Sequence, residues 1–227
     1  MRVVLLILLF VSMQLSAQTK SEYGVEVIED VSTYRGQVEE NPNMQLVSLK
    51  DQEGIYFDIH YATKNNFVGE IVYPTADAFA RKQVAEALQK ANSIFAKKGL
   101  AIKIFDAYRP YAATVQFYEL VEDTTYVASP YSGSRHNRGC AVDLTLVDKE
   151  TGEDLNMPTS YDHFSEKAHP TFMDLEEEQI NNRQLLIEVM ESVGFKVYSY
   201  EWWHFDFIGW EDYPLMNLSF EELKQSR

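Results

Sequence analysis

The chain has 227 residues, of which 45% are hydrophobic, so it can bury a core of ordinary single-domain size and is not disordered as a whole. Its formal net charge of -15 makes the surface repel nucleic acids and anionic membranes, which excludes both as expected partners. Cys140 is the only cysteine, which excludes an intramolecular disulfide and a four-cysteine zinc site.

The first seventeen residues, 1–17, have the layout of a secretory signal peptide. Arg2 supplies a positive charge, residues 3–11 form an unbroken apolar run, and the small residues Ser16 and Ala17 precede a polar stretch. This layout predicts cleavage after about Ala17, export to the periplasm and no stable membrane insertion after cleavage. An uncleaved membrane anchor is the alternative, although the apolar run is shorter than an ordinary membrane span.

Residues 18–43 are polar and acidic, and Gly24, Gly36 and Pro42 interrupt them. This composition predicts an N-terminal arm that either packs loosely or wraps the domain. The sequence after it shows no convincing linker and no internal repeat, so we predict a single domain over residues 44–227. The sequence carries no signal for an oligomeric state.

The first half of this domain is predicted to alternate strands with helices. β-forming side chains indicate the first strand, and apolar residues at helical spacing indicate the first helix, for which Gly99 supplies the stop. The predicted strands cover 55–59 and 100–105, and the predicted helices cover 77–98 and 111–122.

The second half is predicted to contain a buried strand, a third helix that Asp174 could cap, and a closing pair of strands. Helices come early and in the middle while strands cluster late. This order predicts an α+β domain with an antiparallel sheet and flanking helices. The strands cover 141–146, 195–198 and 202–208, and the helix covers 174–193.

His136 and Asp143 lie in the first segment that could carry chemistry. Polar residues mark a loop around His136 up to Gly139, and a strand begins directly afterwards. Asp143 lies inside the apolar run of this strand, where a carboxylate is costly to bury unless it is paired or binds a metal. The turn at Gly139 lets His136 fold back toward Asp143. Taken alone, the two residues fit a hydrogen-bonded aspartate and a loop histidine better than a metal site.

His204 lies among aromatic residues in a second segment, and Glu201 precedes it by three positions. An apolar wall keeps an imidazole neutral, which is the form that binds zinc. A backbone bend before the strand would bring the Glu201 carboxylate beside a water activated by a metal, as in metallopeptidases. Taken alone, an aromatic-rich strand is more often simply part of a core.

Together the two segments supply two histidines and one aspartate, a ligand number that leaves the fourth position of zinc open for water. We therefore predict one zinc ion per chain, with Glu201 as the general base. Arg109 follows a predicted strand and could stabilise the oxyanion that forms when water attacks an amide carbonyl. The alternative for Arg109 is a surface ion pair with Asp106. The predicted zinc ligands are His136, Asp143 and His204.

Three motifs of the chain are Asp106-Ala107-Tyr108-Arg109-Pro110, Ser134-x-His136-x-x-Gly139-x-Ala141-x-Asp143 and Glu201-Trp202-Trp203-His204. In this order they resemble the D-Ala-D-Ala metallopeptidase superfamily, which also includes DD-carboxypeptidases and the zinc-binding hedgehog signalling domain. The double tryptophan and the segment around Arg109 look most like the VanX-type D-alanyl-D-alanine dipeptidases. The likeness extends from about Asp58 to about Pro214 and implies the hedgehog/DD-peptidase fold.

The resemblance implies a role for each matching residue. The three predicted ligands match the zinc ligands of the family, and Glu201 matches its general base. Arg109 matches the arginine that stabilises the tetrahedral intermediate. Tyr61, Ser134 and Asp162 match residues that bind the substrate, with Asp162 at the free amino end of a dipeptide. An acid at that place selects short substrates because it binds a cationic amine.

The chain also departs from the family pattern. Cys140 stands where a small or polar residue is usual, and we expect it to pack rather than to bind metal. Tyr161 replaces the usual phenylalanine before Asp162, a change that we expect to matter little. His163 and His169 match no ligand position, and we expect them in loop or supporting positions.

The resemblance implies zinc-dependent hydrolysis of the dipeptide D-Ala-D-Ala to two D-alanines in cell-wall peptide turnover. One alternative is a D,D- or L,D-carboxypeptidase that trims peptidoglycan stem peptides, and Asp162 argues against it. Another is a non-catalytic, zinc-stabilised binding domain, against which Glu201 and Arg109 argue. Export favours recycling over glycopeptide resistance, because resistance requires the destruction of a cytoplasmic precursor.

Overall fold

The computed structural model of the chain describes residues 19–121 and 123–226. The predicted signal peptide over 1–17 lies outside the described residues. Within the described ranges, no helix combines the length and the apolarity that crossing a membrane requires.

Strands and helices alternate only over residues 79–198, and runs of two or three strands stand before and after that part of the described chain. The strands are β1 Thr19–Lys20, β2 Glu26–Ile28, β3 Leu46–Ser48, β4 Tyr56–Phe57, β5 Phe79–Arg81, β6 Leu100–Asp106, β7 Ala141–Asp148, β8 Phe195–Tyr198, β9 Glu201–Phe207 and β10 Leu215–Met216. The α-helices are α1 Val31–Glu40, α2 Lys82–Ala96, α3 Tyr111–Leu120, α4 Glu177–Ser192 and α5 Phe220–Gln225.

The main sheet has five strands in the order β4-β6-β7-β9-β8. β7 pairs antiparallel with β6 and β9, and β8 pairs antiparallel with β9. The short β4 differs, because it pairs parallel with β6. Helix α2 packs on β6, and α4 packs on β7, β8 and β9. This arrangement confirms the predicted α+β class.

The central strand β7 is buried on both faces of the sheet, and one of these faces carries two polar side chains. Side chains alternate between the two faces of a strand, and Val142, Leu144 and Leu146 share one face, where each is fully buried. Asp143 and Thr145 project to the opposite face and are also buried. A carboxylate therefore lies inside the domain at the middle of its main sheet.

The predicted N-terminal arm carries regular structure in its described part. β2 pairs antiparallel with β1 and parallel with β10, with Val27 opposite Leu215. On α1, the hydroxyl of Tyr34 accepts a hydrogen bond of 2.7 Å from the backbone N–H of Leu46. These contacts tie the arm to both ends of the domain, and the boundary at residue 44 stays a prediction.

Two predicted helices begin later than the sequence pattern indicates. Residues 79–81 form β5, which pairs with β3, so α2 begins only at Lys82. Helix α4 begins at Glu177, because the N-cap is Glu176 rather than Asp174, and Glu176 forms a capping box with Gln179. A distant strand therefore sets the start of α2, whereas a local capping box sets the start of α4.

Candidate metal centre and substrate cavity

A cross-strand pair forms the base of the candidate metal centre. Asp143 on β7 lies directly opposite His204 on β9 in antiparallel register. Residues opposite each other project to the same face of a sheet, and 2.9 Å separate the Oδ1 atom of Asp143 from the Nδ1 atom of His204. Both side chains are buried.

His136 reaches this pair from the loop before β7. It opens a short 3-10 turn, which ends at Gly139 with a φ of 70°, a left-handed conformation that favours glycine. The Nε2 atom of His136 lies 3.1 Å from Nδ1 of His204 and 3.3 Å from Oδ1 of Asp143. The three residues predicted as ligands therefore meet at one point.

The three converging atoms fit a zinc ion. Tetrahedral ligation at about 2.0–2.1 Å separates neighbouring ligand atoms by about 3.3 Å, and the separations here are 2.9, 3.1 and 3.3 Å. Two imidazole nitrogens and one carboxylate oxygen are also donors that zinc accepts in catalytic sites, where a fourth position serves water or substrate.

In each histidine, the ring nitrogen that does not face the cluster also lies beside a hydrogen-bond acceptor. His136 Nδ1 lies 2.7 Å from the backbone oxygen of Ala107, and His204 Nε2 lies 2.9 Å from Oδ1 of Asp206. Such acceptors fix the orientation of the ring and raise the basicity of the ligating nitrogen. Asp206 is absent from the predicted site. Its position two residues after His204 places both side chains on the same face of the strand, and this is the only sequence signal for Asp206.

The charges within the cluster depend on one another. Burial opposes ionisation of Asp143, but contacts with His136 and His204 outweigh burial and lower the pKa of this carboxyl. Burial also opposes the charged form of His204, but Asp206 and Asp143 raise its pKa to about 10. A metal must therefore displace a proton from His204, since the neutral imidazole is the ligand.

Glu201 begins β9 at a point where the pairing with β8 shifts register. Its Oε2 atom lies 3.9 Å from Nδ1 of His204, and the side chain is buried. Burial raises the pKa of Glu201 well above its usual range, and the nearby Asp143 raises it further. A buried carboxyl with a raised pKa beside the cluster is suited to accept a proton and to return it.

Arg109 lies on the loop between β6 and α3, beside the cluster. Its Nε and Nη2 atoms donate hydrogen bonds of 3.0 and 2.8 Å to Oδ2 of Asp106, and Nη2 lies 3.8 Å from Oδ2 of Asp143. Burial opposes the charge of Arg109, but Asp106 outweighs it and raises the pKa of the guanidinium well above its usual range. The ion pair between Arg109 and Asp106 is therefore buried and does not lie on the surface. It fixes the guanidinium of Arg109 near the cluster.

A cavity of about 310 Å³ is lined by all three predicted ligands and by Glu201 and Arg109. Tyr61, Ser134 and Asp162 line the same cavity. The hydroxyl of Tyr61 donates a hydrogen bond of 3.0 Å to Oδ2 of Asp162. The structure therefore brings every residue predicted for the site to one cavity.

Asp162 has the unusual backbone of a strained position. Its φ of 56° lies in the left-handed region, which few residues other than glycine adopt. Burial raises the pKa of its carboxyl well above the usual range, and Asp143 raises it further. A cation bound beside Asp162 would offset both effects.

Tyr161 contacts the cluster directly, which the sequence pattern does not indicate. Its hydroxyl donates a hydrogen bond of 2.8 Å to Oδ2 of Asp143. A phenylalanine lacks this hydroxyl, so the replacement that was expected to matter little adds a partner to a predicted ligand. The contact joins a loop to a strand, and the local spacing of the two residues carries no signal for it.

Cys140, His163 and His169 lie outside the three-residue cluster. Cys140 is fully buried, with its Sγ atom 3.5 Å from the backbone oxygen of Arg138. His163 is exposed, and the ring of His169 contacts the ring of Tyr200. These positions agree with packing and supporting roles.

Comparison with known proteins identifies relatives over most of the chain. The family model described as D-ala-D-ala dipeptidase matches residues 44–222. The D-alanyl-D-alanine dipeptidase of Escherichia coli (strain K12) is 36% identical over 159 residues, which cover 70% of this chain and 82% of that protein. The D-alanyl-D-alanine dipeptidase of Enterococcus faecalis (strain ATCC 700802 / V583) is 33% identical over 181 residues, covering 71% and 89% of the two chains.

Two solved structures are more distant. The vancomycin resistance D,D-pentapeptidase VanY, crystallised with Zn(II), is 17% identical, with a TM-score of 0.38 over 59% of this chain and 75% of that chain. The LD-carboxypeptidase LdcB is 19% identical, with a TM-score of 0.39 over 65% and 69% of the two chains. The family of the chain is therefore assigned from the family model and the dipeptidase relatives, and not from these two structures. The chain therefore belongs to the D-alanyl-D-alanine dipeptidase family of metallopeptidases and is a peptidase.

Proposed function

We propose that this chain hydrolyses free D-Ala-D-Ala to two D-alanines, with one zinc ion held by His136, Asp143 and His204. The observation that carries the proposal is the convergence of His136 Nε2, Asp143 Oδ1 and His204 Nδ1 within 3.3 Å of one another. The substrate is named from the relatives, which are D-alanyl-D-alanine dipeptidases.

Glu201 is the proposed general base. The chemistry that zinc supplies in such a site is polarisation of an amide carbonyl and acidification of the attacking water. The Glu201 carboxylate accepts a proton from this water and later donates it to the nitrogen of the leaving D-alanine. Burial of Glu201 favours its protonated form, which lets the side chain hold the proton between the two transfers.

Arg109 is proposed to stabilise the negative charge that develops on the carbonyl oxygen. A donor aimed at a developing oxyanion is most effective when it does not need to reorganise. Asp106 holds the guanidinium with two hydrogen bonds, and the ring of Phe117 lies 4.8 Å from the guanidinium carbon. The cation is therefore preorganised beside the cluster.

Tyr61, Ser134 and Asp162 are proposed to orient the dipeptide. Asp162 is the group that would bind the free ammonium, because it is a half-buried carboxylate on the wall of the cavity. Tyr61 donates to the same carboxylate and limits its rotation. A blocked amino terminus would place an uncharged amide beside this acid, which disfavours longer peptides.

We also propose that residues 1–17 are a signal peptide, that residues 18–43 form an N-terminal arm and that residues 44–227 form the dipeptidase domain. Export to the periplasm would place the enzyme where peptides released from peptidoglycan are found. The proposed role is accordingly turnover of cell-wall peptides. The apolar run at 3–11 supports this proposal.

The proposal is tested by measuring metal content together with D-alanine release. We expect one zinc ion per chain and rapid turnover of D-Ala-D-Ala. N-acetyl-D-Ala-D-Ala should be cleaved at least about 10-fold more slowly, because it lacks the ammonium that pairs with Asp162.

Other outcomes would identify the alternatives. Faster cleavage of the acetylated dipeptide, or of a D,D- or L,D-peptide from a peptidoglycan stem, would contradict the dipeptidase proposal in favour of a carboxypeptidase. Stoichiometric zinc without hydrolysis of any of these substrates would indicate a binding domain.

A further inference from the structure

The two carboxylate oxygens of Asp143 have different partners. Oδ1 lies 2.9 Å from His204 Nδ1 and 3.3 Å from His136 Nε2, so it faces the point where the predicted ligands meet. Oδ2 instead accepts a hydrogen bond of 2.8 Å from the hydroxyl of Tyr161. A carboxylate held in this way presents one defined oxygen to a metal.

The ring of Tyr161 is fixed from several sides. It stacks on Phe105, with 4.7 Å between ring centroids and 24° between ring planes. It also meets the rings of Trp203 and His60 edge to face, at centroid distances of 5.6 and 5.1 Å. Because tyrosine has few rotatable bonds and this ring is buried, the place of its hydroxyl follows from the packing.

The protons of two neighbouring tyrosines can be assigned from their acceptors. The hydroxyls of Tyr161 and Tyr61 lie 3.3 Å apart, and each hydroxyl carries a single proton. Tyr61 lies 3.0 Å from Asp162 Oδ2, whereas Tyr161 lies 2.8 Å from Asp143 Oδ2. Hydrogen bonds to carboxylates are stronger than those between neutral hydroxyls, so Tyr161 donates to Asp143 and Tyr61 donates to Asp162.

We propose that Tyr161 is a positioning residue that holds Asp143 as a one-oxygen metal ligand. The inference rests on the proposed zinc site and adds a residue that contacts neither the metal nor the reacting bond. Without the hydroxyl, Oδ2 of Asp143 would lose this hydrogen bond. The Nη2 atom of Arg109 lies 3.8 Å from Oδ2, which is longer than a hydrogen bond. The carboxylate could then turn, and part of the preorganisation of the ligand would be lost.

Tyr161→Phe removes only this hydroxyl and keeps the ring that packs on Phe105. Tyr34→Phe is the matched control, because Tyr34 is also buried and its hydroxyl also makes a buried hydrogen bond, to the backbone of Leu46. Zinc affinity of each purified protein is measured by competition with a chromophoric chelator. Thermal unfolding of the metal-free proteins is measured in parallel.

We expect the zinc dissociation constant of Tyr161→Phe to rise about 10- to 100-fold, the range typical of lost supporting contacts to metal ligands. Tyr34→Phe should lower the unfolding temperature without changing this constant by more than about twofold. At saturating zinc, Tyr161→Phe should regain most of its kcat, because the residue acts through Asp143.

A dissociation constant for Tyr161→Phe within about twofold of the parent value would overturn the inference while leaving the zinc site intact. An equal rise in both variants would also overturn it, since the effect would then follow stability alone. If Tyr161→Phe does not fold, the same measurement is made on Tyr161→Leu, which also lacks the hydroxyl and adds no metal ligand, and a dissociation constant within about twofold of the parent value would again overturn the inference. A parent protein that binds no zinc would instead overturn the proposed site, and this inference with it.

Discussion

The Nε2 atom of His136 lies 3.1 Å from the Nδ1 atom of His204, although 68 positions separate the two residues in the chain. One imidazole comes from a loop that turns at Gly139, and the other comes from the middle of β9. Asp143 Oδ1 lies within 3.3 Å of both nitrogens. Two ring nitrogens this close repel each other unless a proton or a metal ion lies between them.

Replacement of Glu201 by glutamine should separate catalysis from metal binding. We expect Glu201→Gln to lower kcat for D-Ala-D-Ala by about 10²- to 10⁴-fold, since the amide cannot accept the proton of the attacking water. Elemental analysis should still find one zinc ion per chain. Glu188→Gln is the control, because Glu188 is exposed on α4 and should leave kcat unchanged. Equal rates in parent and Glu201→Gln would remove Glu201 from the mechanism.

Replacement of Asp206 by asparagine should weaken zinc binding. The carboxylate accepts from His204 Nε2 at 2.9 Å, and an amide oxygen is a weaker acceptor that supports the basicity of Nδ1 less well. We expect the zinc dissociation constant to rise about 10- to 100-fold. Chelator competition measures the change, and an unaltered constant would show that Asp206 does not support His204.

Replacement of Asp162 by asparagine should affect free dipeptides selectively. A hydrogen bond to a charged group contributes about 1.5–3 kcal/mol, so kcat/KM for D-Ala-D-Ala should fall about 10- to 100-fold. The slower cleavage of N-acetyl-D-Ala-D-Ala should change little, because that substrate has no ammonium. A parallel fall for both substrates would argue that Asp162 supports the structure rather than the amine.

The thiol of Cys140 should be inert until the chain unfolds. Burial raises its pKa from 9.0 to about 12, although Arg81 and Arg138 oppose the rise. Because the folded-state pKa is the higher one, the associated stability is present below about pH 9 and is lost as the pH rises toward 12. Iodoacetamide at pH 8 should modify Cys140 only in denaturant, and rapid labelling of the native protein would contradict its burial.

Two glycines with similar backbones should respond differently to alanine. Gly99 has a φ of 76°, and no described atom lies within 4 Å of an added Cβ. Gly99→Ala should therefore lower the free energy of unfolding only through the left-handed backbone, by about 1–2 kcal/mol. Gly139 has a φ of 70°, and its Cβ would lie 2.5 Å from Leu46 Cδ2. Gly139→Ala should therefore cost about 1–3 kcal/mol more.

Urea unfolding of the metal-free proteins measures both glycine variants. Zinc affinity should fall only for Gly139→Ala, since that turn positions His136. Equal losses of unfolding free energy in the two variants would show that Leu46 moves aside without cost.

Local sequence patterns predict the position of an element well when that element buries a regular stripe or run of apolar residues. β6 and β7 follow their predicted positions closely, because each is a short apolar run whose bounds depend on its own residues. The start of α2 did not follow, because β5 pairs with β3 instead of joining the helix. A helical pattern carries no information about a partner strand more than thirty positions away.

By itself, the sequence determined the class of the fold through the order of its helical and strand patterns. Its spaced motifs, and their resemblance to a known family, determined which residues to consider for the site. Only the tertiary structure decided that Asp206 supports His204, that Tyr161 donates to Asp143 and that Arg109 is buried with Asp106. The physical reason is that hydrogen bonds and burial depend on which distant segments pack together. A sequence motif identifies the side chains of a site, but strand register and the path of the loops determine which residues those side chains contact.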